Sequence, residues 1–167
     1  MIRIRFVTGA DAISAAIRAA EYGFWASRAD AVMPDGTLLG AHYDGGVQAR
    51  AADYDREKFT RELIVSTPAS PEITDAFHSF LRAQLGKPYD IEAIAAFVAN
   101  RDWRQPDSWF CSESQAAALP ACTWFPSTLA TEFNHITPRD LLLSVSGRIA
   151  INPQAICGLR NSLRKFG

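Results

Sequence analysis

Hydrophobic and polar positions alternate at the start of the chain. Ile2, Ile4 and Phe6 are separated by Arg3 and Arg5, which predicts a strand with one apolar and one basic face. The period then lengthens. Ile13, Ala16, Ile17 and Ala20 recur at helical spacing, and Thr8-Gly9-Ala10-Asp11 reads as the cap of that helix. Period two returns over 28–33, where Arg28, Asp30 and Val32 share one face. Pro34-Asp35-Gly36 reads as a tight turn. The segment 37–42 is the returning strand, on which Gly40 and His42 share a face. A second turn at Asp44-Gly45-Gly46 leads into a short strand over 47–50, and 61–66 is a further strand. The middle of the chain therefore predicts an antiparallel meander.

The later pattern is helical. Ser70-Pro71-Glu72 combines a capping serine, a first-turn proline and an acid that complements the helix dipole. Ile73, Phe77, Phe80, Leu81 and Leu85 make the apolar face, with His78 expected on the helix surface, and Gly86 with Pro88 ends the run. Ile91, Ile94, Ala95 and Val98 predict another short helix, and a further one opens at Cys111 and closes around 119–122. The segment 123–128, with Trp124 and Phe125, reads as a loop. Thr137-Pro138-Arg139-Asp140 resembles a capping box with aspartate in the glutamate position. The apolar, branched run 141–151 predicts a strand or hairpin at the sheet edge, and Asn152-Pro153 starts a last helix through 163. The sum is an α+β fold, an antiparallel sheet with helices packed on it, in a single domain over 1–167.

Composition narrows the chemistry. A net charge of −1 offers no broad attraction to nucleic acid or to an anionic membrane surface. The one basic cluster, Arg160, Arg164 and Lys165, reads as a solvated helix end. Cysteines at 111, 122 and 157 are too widely spaced for a zinc site, and nothing else suggests a metal or cofactor. The first residues lack the continuous apolar core of a signal peptide, and no run reaches the length of a membrane span, so a cytoplasmic location is expected.

One stretch carries candidate chemistry. Cys111 follows Trp109-Phe110 and stands at the start of a helix, where free N–H groups and the positive dipole end favour a thiolate. The plainer reading is a small buried hydrophobe.

Gly86-Lys87-Pro88-Tyr89-Asp90, then Trp109-Phe110-Cys111-Ser112-Glu113 and an alanine-rich helix, resemble the NlpC/P60 superfamily of papain-like cysteine hydrolases. Trp25-Ala26-Ser27-Arg28-Ala29-Asp30 through Gly36 and Ala41, with Gly45-Gly46-Val47, are similar to the first core strands of its circularly permuted branch. The similarity spans about 13–142. The resemblance implies a papain-like fold in permuted order and hydrolysis of an amide or ester bond. Cys111 would be the nucleophile, and Tyr89 and backbone N–H groups would be the oxyanion donors. The substrate would be peptide-, amide- or ester-bearing.

The branch usually reads Ser-His where this chain reads Ser27-Arg28, and a guanidinium cannot take a proton from a thiol. Two readings follow. His42, on the neighbouring strand, serves as a relocated partner of Cys111. Alternatively, the chain is a degenerate member that binds a ligand or a protein partner. Around the site, Arg28 and Asp30 read first as a plain salt bridge, and second as a charge that favours thiolate or holds a carboxylate. Trp109 reads as core or cleft wall, and Glu113 as complement to the helix dipole.

Overall fold

The computed structural model describes residues 1–91, 107–122 and 136–146. Five strands form one antiparallel sheet: β1 (Ile2–Gly9), β2 (Arg28–Val32), β3 (Leu38–His42), β4 (Gly46–Arg50) and β5 (Phe59–Thr67), in the order β4-β3-β2-β1-β5. Only β2, β3 and β4 follow the meander. The chain then passes behind the sheet, and β5 pairs with the far side of β1, from Ile2↔Thr67 to Thr8↔Arg61. Four helices accompany the sheet among the described residues: α1 (Ala12–Ala20), α2 (Pro71–Arg82), α3 (Cys111–Ala121) and α4 (Pro138–Ser146).

Strand alternation gives the sheet two unlike faces. Ile2, Ile4, Phe6, Ala29, Ala31, Leu39 and Ala41 point to one side and pack with Phe77, Leu81, Ala116, Ala118, Leu119 and Leu141 of the helices. The other side carries Arg5, Arg28, Asp30 and His42, and the connection 51–58 lies over it. Arg5, opposite Asp30 in the β1–β2 register, is only 1% exposed. It is held by both oxygens of Asp55, at 2.8 and 3.2 Å, and by Glu62 at 2.5 Å. Of the basic face read for β1, Arg5 thus belongs to a buried ionic layer, while Arg3 is exposed.

The caps behave as their residue types dictate. Asp11 accepts from the Ser14 N–H at 2.8 Å and Ser70 from Ile73 at 3.3 Å. Thr137 and Asp140 form the reciprocal box, with N···O distances of 3.2 Å each way. That box overrides the strand reading of 141–146. Leu141, Leu142 and Val145 are buried along one helical face of α4 instead. Two details of α2 also differ from expectation. The helix ends at Arg82, leaving Leu85 exposed, and His78 is buried beside Phe77. The helix expected after Ile91, the 123–128 loop and the helix over 152–163 lie outside the described residues.

α3 is buried from Cys111 to Leu119 and touches β2, β3, α2 and α4. Small residues let it lie against all of them. Its polar side chains bond locally or to the elements around it. Ser112 donates to the Ile136 carbonyl at 2.6 Å, Ser114 to the Cys111 carbonyl at 3.1 Å, and Gln115 to the Leu39 carbonyl at 3.1 Å.

Candidate functional site

The sequence blocks that stand far apart in the chain meet at the β4 edge. Val47 N–H donates to the Lys87 carbonyl and Gly86 N–H to the Val47 carbonyl, each at 2.9 Å. Gly46, at φ +75°, needs to be glycine twice over, since a Cβ would also overlap the Lys87 carbonyl. The next residues turn towards the cysteine block. Trp109 N–H donates to the Pro88 carbonyl and Asp90 N–H to the Trp109 carbonyl, making a parallel bridge between Tyr89 and Trp109. Tyr89 thereby stacks at a tilt on Phe110, ring centres 5.8 Å apart.

Phe110, in extended conformation, caps α3, so Cys111 is the first residue of the helix. Glu113 reaches back to accept the Phe110 N–H at 3.1 Å, the side-chain half of a capping box. The helix-start reading of Cys111 therefore holds, but its electrostatic consequence does not. The thiol is 1% exposed, packed among Ile17, Phe110, Ile13 and Tyr89, with its sulfur 3.9 Å from the Ser27 carbonyl. Burial pushes it up to about 12, with Asp30 and Glu21 adding to the shift. A backbone contact at Ala29 and the charge of Arg28 oppose it without reversing it. Burial raises the Tyr89 hydroxyl as well, and the neighbouring Cys111 adds to that shift.

A cleft of about 370 Å³ opens on the polar face, lined by Ile13, Ile17, Arg28, His42, Tyr54, Asp55 and Tyr89 among others. Ile17 and Tyr89 belong both to this wall and to the packing around Cys111, so the thiol lies one side-chain layer beneath the cleft. Arg28 reaches the cleft from β2. Burial works against its charge, but Tyr54, Asp30, Asp55 and Asp11 hold its pKa above the ordinary arginine value. Its closest ion-pair contact is Asp55, at 3.6 Å from Nη2.

His42 is engaged on this face. Its Nδ1 lies 3.3 Å from the Tyr54 hydroxyl and its Nε2 3.5 Å from Asp30 Oδ1. Asp30 reaches it across Gly40, where a Cβ would overlap that same oxygen. Burial lowers the His42 pKa despite the pull of Asp30, so the ring is neutral at neutral pH. The two ring nitrogens thus face a hydroxyl and a carboxylate, and the sulfur of Cys111 faces the Ser27 carbonyl. Asp30 forms its ion pair with Arg5 at 3.6 Å and lies beside the neutral His42 ring, in place of the plain Arg28–Asp30 bridge expected from the strand face. Trp109 does not line this cleft: it packs edge-on to Phe80, donates to Gln84 at 3.1 Å and lies under Lys87.

Tyr54, Asp55 and Arg5 are the site residues that sequence reading missed. The first two stand in a polar connection without periodicity. The partnership of Arg5 with Asp30 depends on strand register. Among the described residues, no group of three or more His, Cys, Asp or Glu side chains is placed to hold a metal ion, and no helix is long and apolar enough to cross a membrane.

No family model matches the chain, and no curated protein matches it. Among solved structures it is similar to the metalloprotein yiiX of Escherichia coli O157:H7, at 17% identity and a TM-score of 0.60, over 90% of this chain and 82% of that one. At that identity the likeness is one of fold: the α+β arrangement of sheet and helices described above.

Proposed function

We propose that the chain is a papain-like domain of the permuted NlpC/P60 type that has kept the frame of the cysteine site and given up its proton transfer. It acts as a ligand-binding module. One observation carries this reading: the sulfur of Cys111 has a backbone carbonyl as its hydrogen-bond partner, while Arg28 occupies the position where that branch carries histidine. A nucleophilic thiol needs a base within hydrogen-bond reach. Arginine cannot serve as one, and the two nitrogens of His42 are turned to Tyr54 and Asp30. The ligand enters the cleft over Arg28 and Tyr54, and a protein partner presenting such a group fits the same description.

A second reading is favoured by a separate observation. Cys111 begins a helix and stands beside Tyr89, one layer below the cleft. A movement of Ile17 or Tyr89 that opened this layer would present the thiol to an amide or ester, and the domain would then be a cysteine hydrolase.

Iodoacetamide alkylation at Cys111 across pH, followed by peptide mass spectrometry, separates the two. The binding reading predicts a thiol that stays unmodified in the native protein at neutral pH and reacts only on unfolding. Rapid alkylation near neutral pH, together with turnover of amide or ester substrates, establishes the hydrolase instead. Arg28→His adds a second arm. It places an imidazole on β2 at the position occupied by Arg28, and the expected result is a lower apparent thiol pKa than in the wild type.

A further inference from the structure

We infer that the outer edge of β5 docks a second copy of this chain, joining the two sheets antiparallel across a two-fold axis at Leu63. Residues 59–67 do not line the cleft, so the inference stands apart from the reading of that site. The two ends of the sheet differ. At β4 the chain covers its own edge, where Val47 exchanges backbone hydrogen bonds with Gly86 and Lys87. At the other end, β5 pairs with β1 alone among the described residues. Alternate residues of such a strand turn their N–H and C=O groups outward, a template for another strand.

β5 lacks the usual guards of an open edge. Its nine residues include neither proline nor lysine. The register shift lies at the Phe59 end, so pairing with β1 is regular from Arg61 to Thr67. Both charges of the strand are turned to their own chain. Arg61 stacks over the Trp25 ring, 4.1 Å from its centre, and Glu62 bonds Arg5. Residues 60–64 are exposed throughout, with Leu63 at 41% and Ile64 at 39%. A long strand that shows branched apolar side chains at an open edge is poised for pairing.

The strand is self-complementary, and this selects a second copy as the partner. In a continuous antiparallel sheet, directly opposed residues share a face, so a two-fold axis passes through a single residue position. An axis at Arg61 or Glu62 opposes like charges, which is unfavourable. An axis at Leu63, the middle of β5, engages all nine residues. It opposes Leu63 to Leu63, Glu62 to Ile64 and Arg61 to Val65. A net charge of −1 sets up no broad repulsion between copies. The axis stands perpendicular to the sheet, so the helices of both copies lie on one side of it. α4 packs against β5, and its Leu143 is 59% exposed beside the buried Leu141, Leu142 and Val145. A strand seam is narrow against the roughly 1,200–2,000 Å² of a lasting dimer, and the two α4 helices flanking it widen the contact.

Sedimentation equilibrium of the full chain from about 1 to about 300 μM tests this, over the range in which weak dimers form. The mass should rise from that of one chain to that of two. Leu63→Lys opposes two lysines at the axis and should raise the dissociation constant by about tenfold or more. Leu63→Glu should do the same. Mixing the two variants should restore the dimer, because lysine then faces glutamate, a recovery that a misfolded variant cannot give. Amide exchange on the wild type needs no variant: the β5 amides turned from β1 should exchange more slowly at the high concentration than at the low one. A wild-type chain that stays single throughout overturns the inference and leaves the edge to a strand of another protein or to none. A dimer that Leu63→Lys leaves intact, an assembly that grows beyond two copies, or concentration-dependent protection that spares β5 overturns it equally. Two folded variants that fail to associate on mixing overturn the pairing at Leu63.

Discussion

A methyl group added at Gly40 would occupy the space through which Asp30 reaches His42. The backbone of β3 does not require glycine at this position by its φ angle; the carboxylate passing over it does. Gly40→Ala is therefore expected to destabilise the protein by about 1–3 kcal/mol, in the range of an overpacked interior. It should also raise or lower the His42 titration according to where Asp30 is displaced. Urea unfolding and the NMR titration of the His42 ring check both effects, and an unchanged ring titration would remove Asp30 as the residue that orients it. Cys111 shows how far a single residue was legible. Its place at a helix start could be read from Trp109-Phe110-Cys111 and the alanines that follow. Its protonation could not. A helix N-terminus contributes about 0.3–1 kcal/mol, under one pKa unit, whereas full burial moves a group by as much as about 3–5 units. The larger effect depends on Ile17 and Tyr89 arriving from elsewhere in the chain. Arg28, standing where the proposed family would carry histidine, needed no structure at all to notice.

At the scale of elements, α3 is the piece against which the others are placed. Its hydrogen bond from Gln115 to the Leu39 carbonyl fixes the helix on β3, and so fixes Cys111 against the start of β2. Gln115→Leu keeps the volume and removes the donor. The expected cost is about 1 kcal/mol for the bond, with part of it regained by the apolar replacement. The more telling result is positional. Chemical shifts of Ser27 and Cys111 should move in this variant if the helix slides, and shifts confined to Leu39 and its neighbours would show that the other contacts of α3 hold it without Gln115. Helices with chemical end signals were readable: Asp11, Ser70 and the Thr137–Asp140 box each cap as their side chains require. The run 141–146 was misread because a short, branched apolar stretch suits a strand and a buried helix equally. Here the box on its N-terminal side, already visible in the residues, outweighs that ambiguity. The single pairing of β5 with β1 had no such local mark, since both neighbours of a strand look alike from within it.

For the molecule as a whole, the sheet's second face matters more than its first. The apolar face followed from alternation, and the helices cover it as expected. The opposite face was read as basic at β1, but Arg5, Asp30 and Asp55 are each about 1% exposed there, with His42 at 3%. Periodicity records which residues share a side and is silent on what the connection 51–58 lays over them. His42 on this face and His78 on α2 give the protein a pH dependence whose sign can be worked out. Burial lowers the pKa of His42, and likewise of His78 against the sheet, below the ordinary imidazole value of 6.5. Between that value and the depressed native one, the unfolded chain binds protons that the native protein does not, so stability increases with pH through this window. Acidification below about pH 6.5 should consequently weaken the fold progressively, until the native rings are themselves protonated. Glu21 acts in the opposite sense at lower pH. Burial raises its pKa above 4.5, so its contribution is present under acid conditions and lost as pH rises through the raised value. The window to measure is the upper one, from about pH 8 down to about pH 5.5. Urea midpoints should fall across it in the wild type and fall less in His42→Gln, which cannot take up the proton. A midpoint that stays level in the wild type would mean that His42 and His78 titrate alike in the folded and unfolded chains. The polar face would then be open to water rather than sealed by the connection above it.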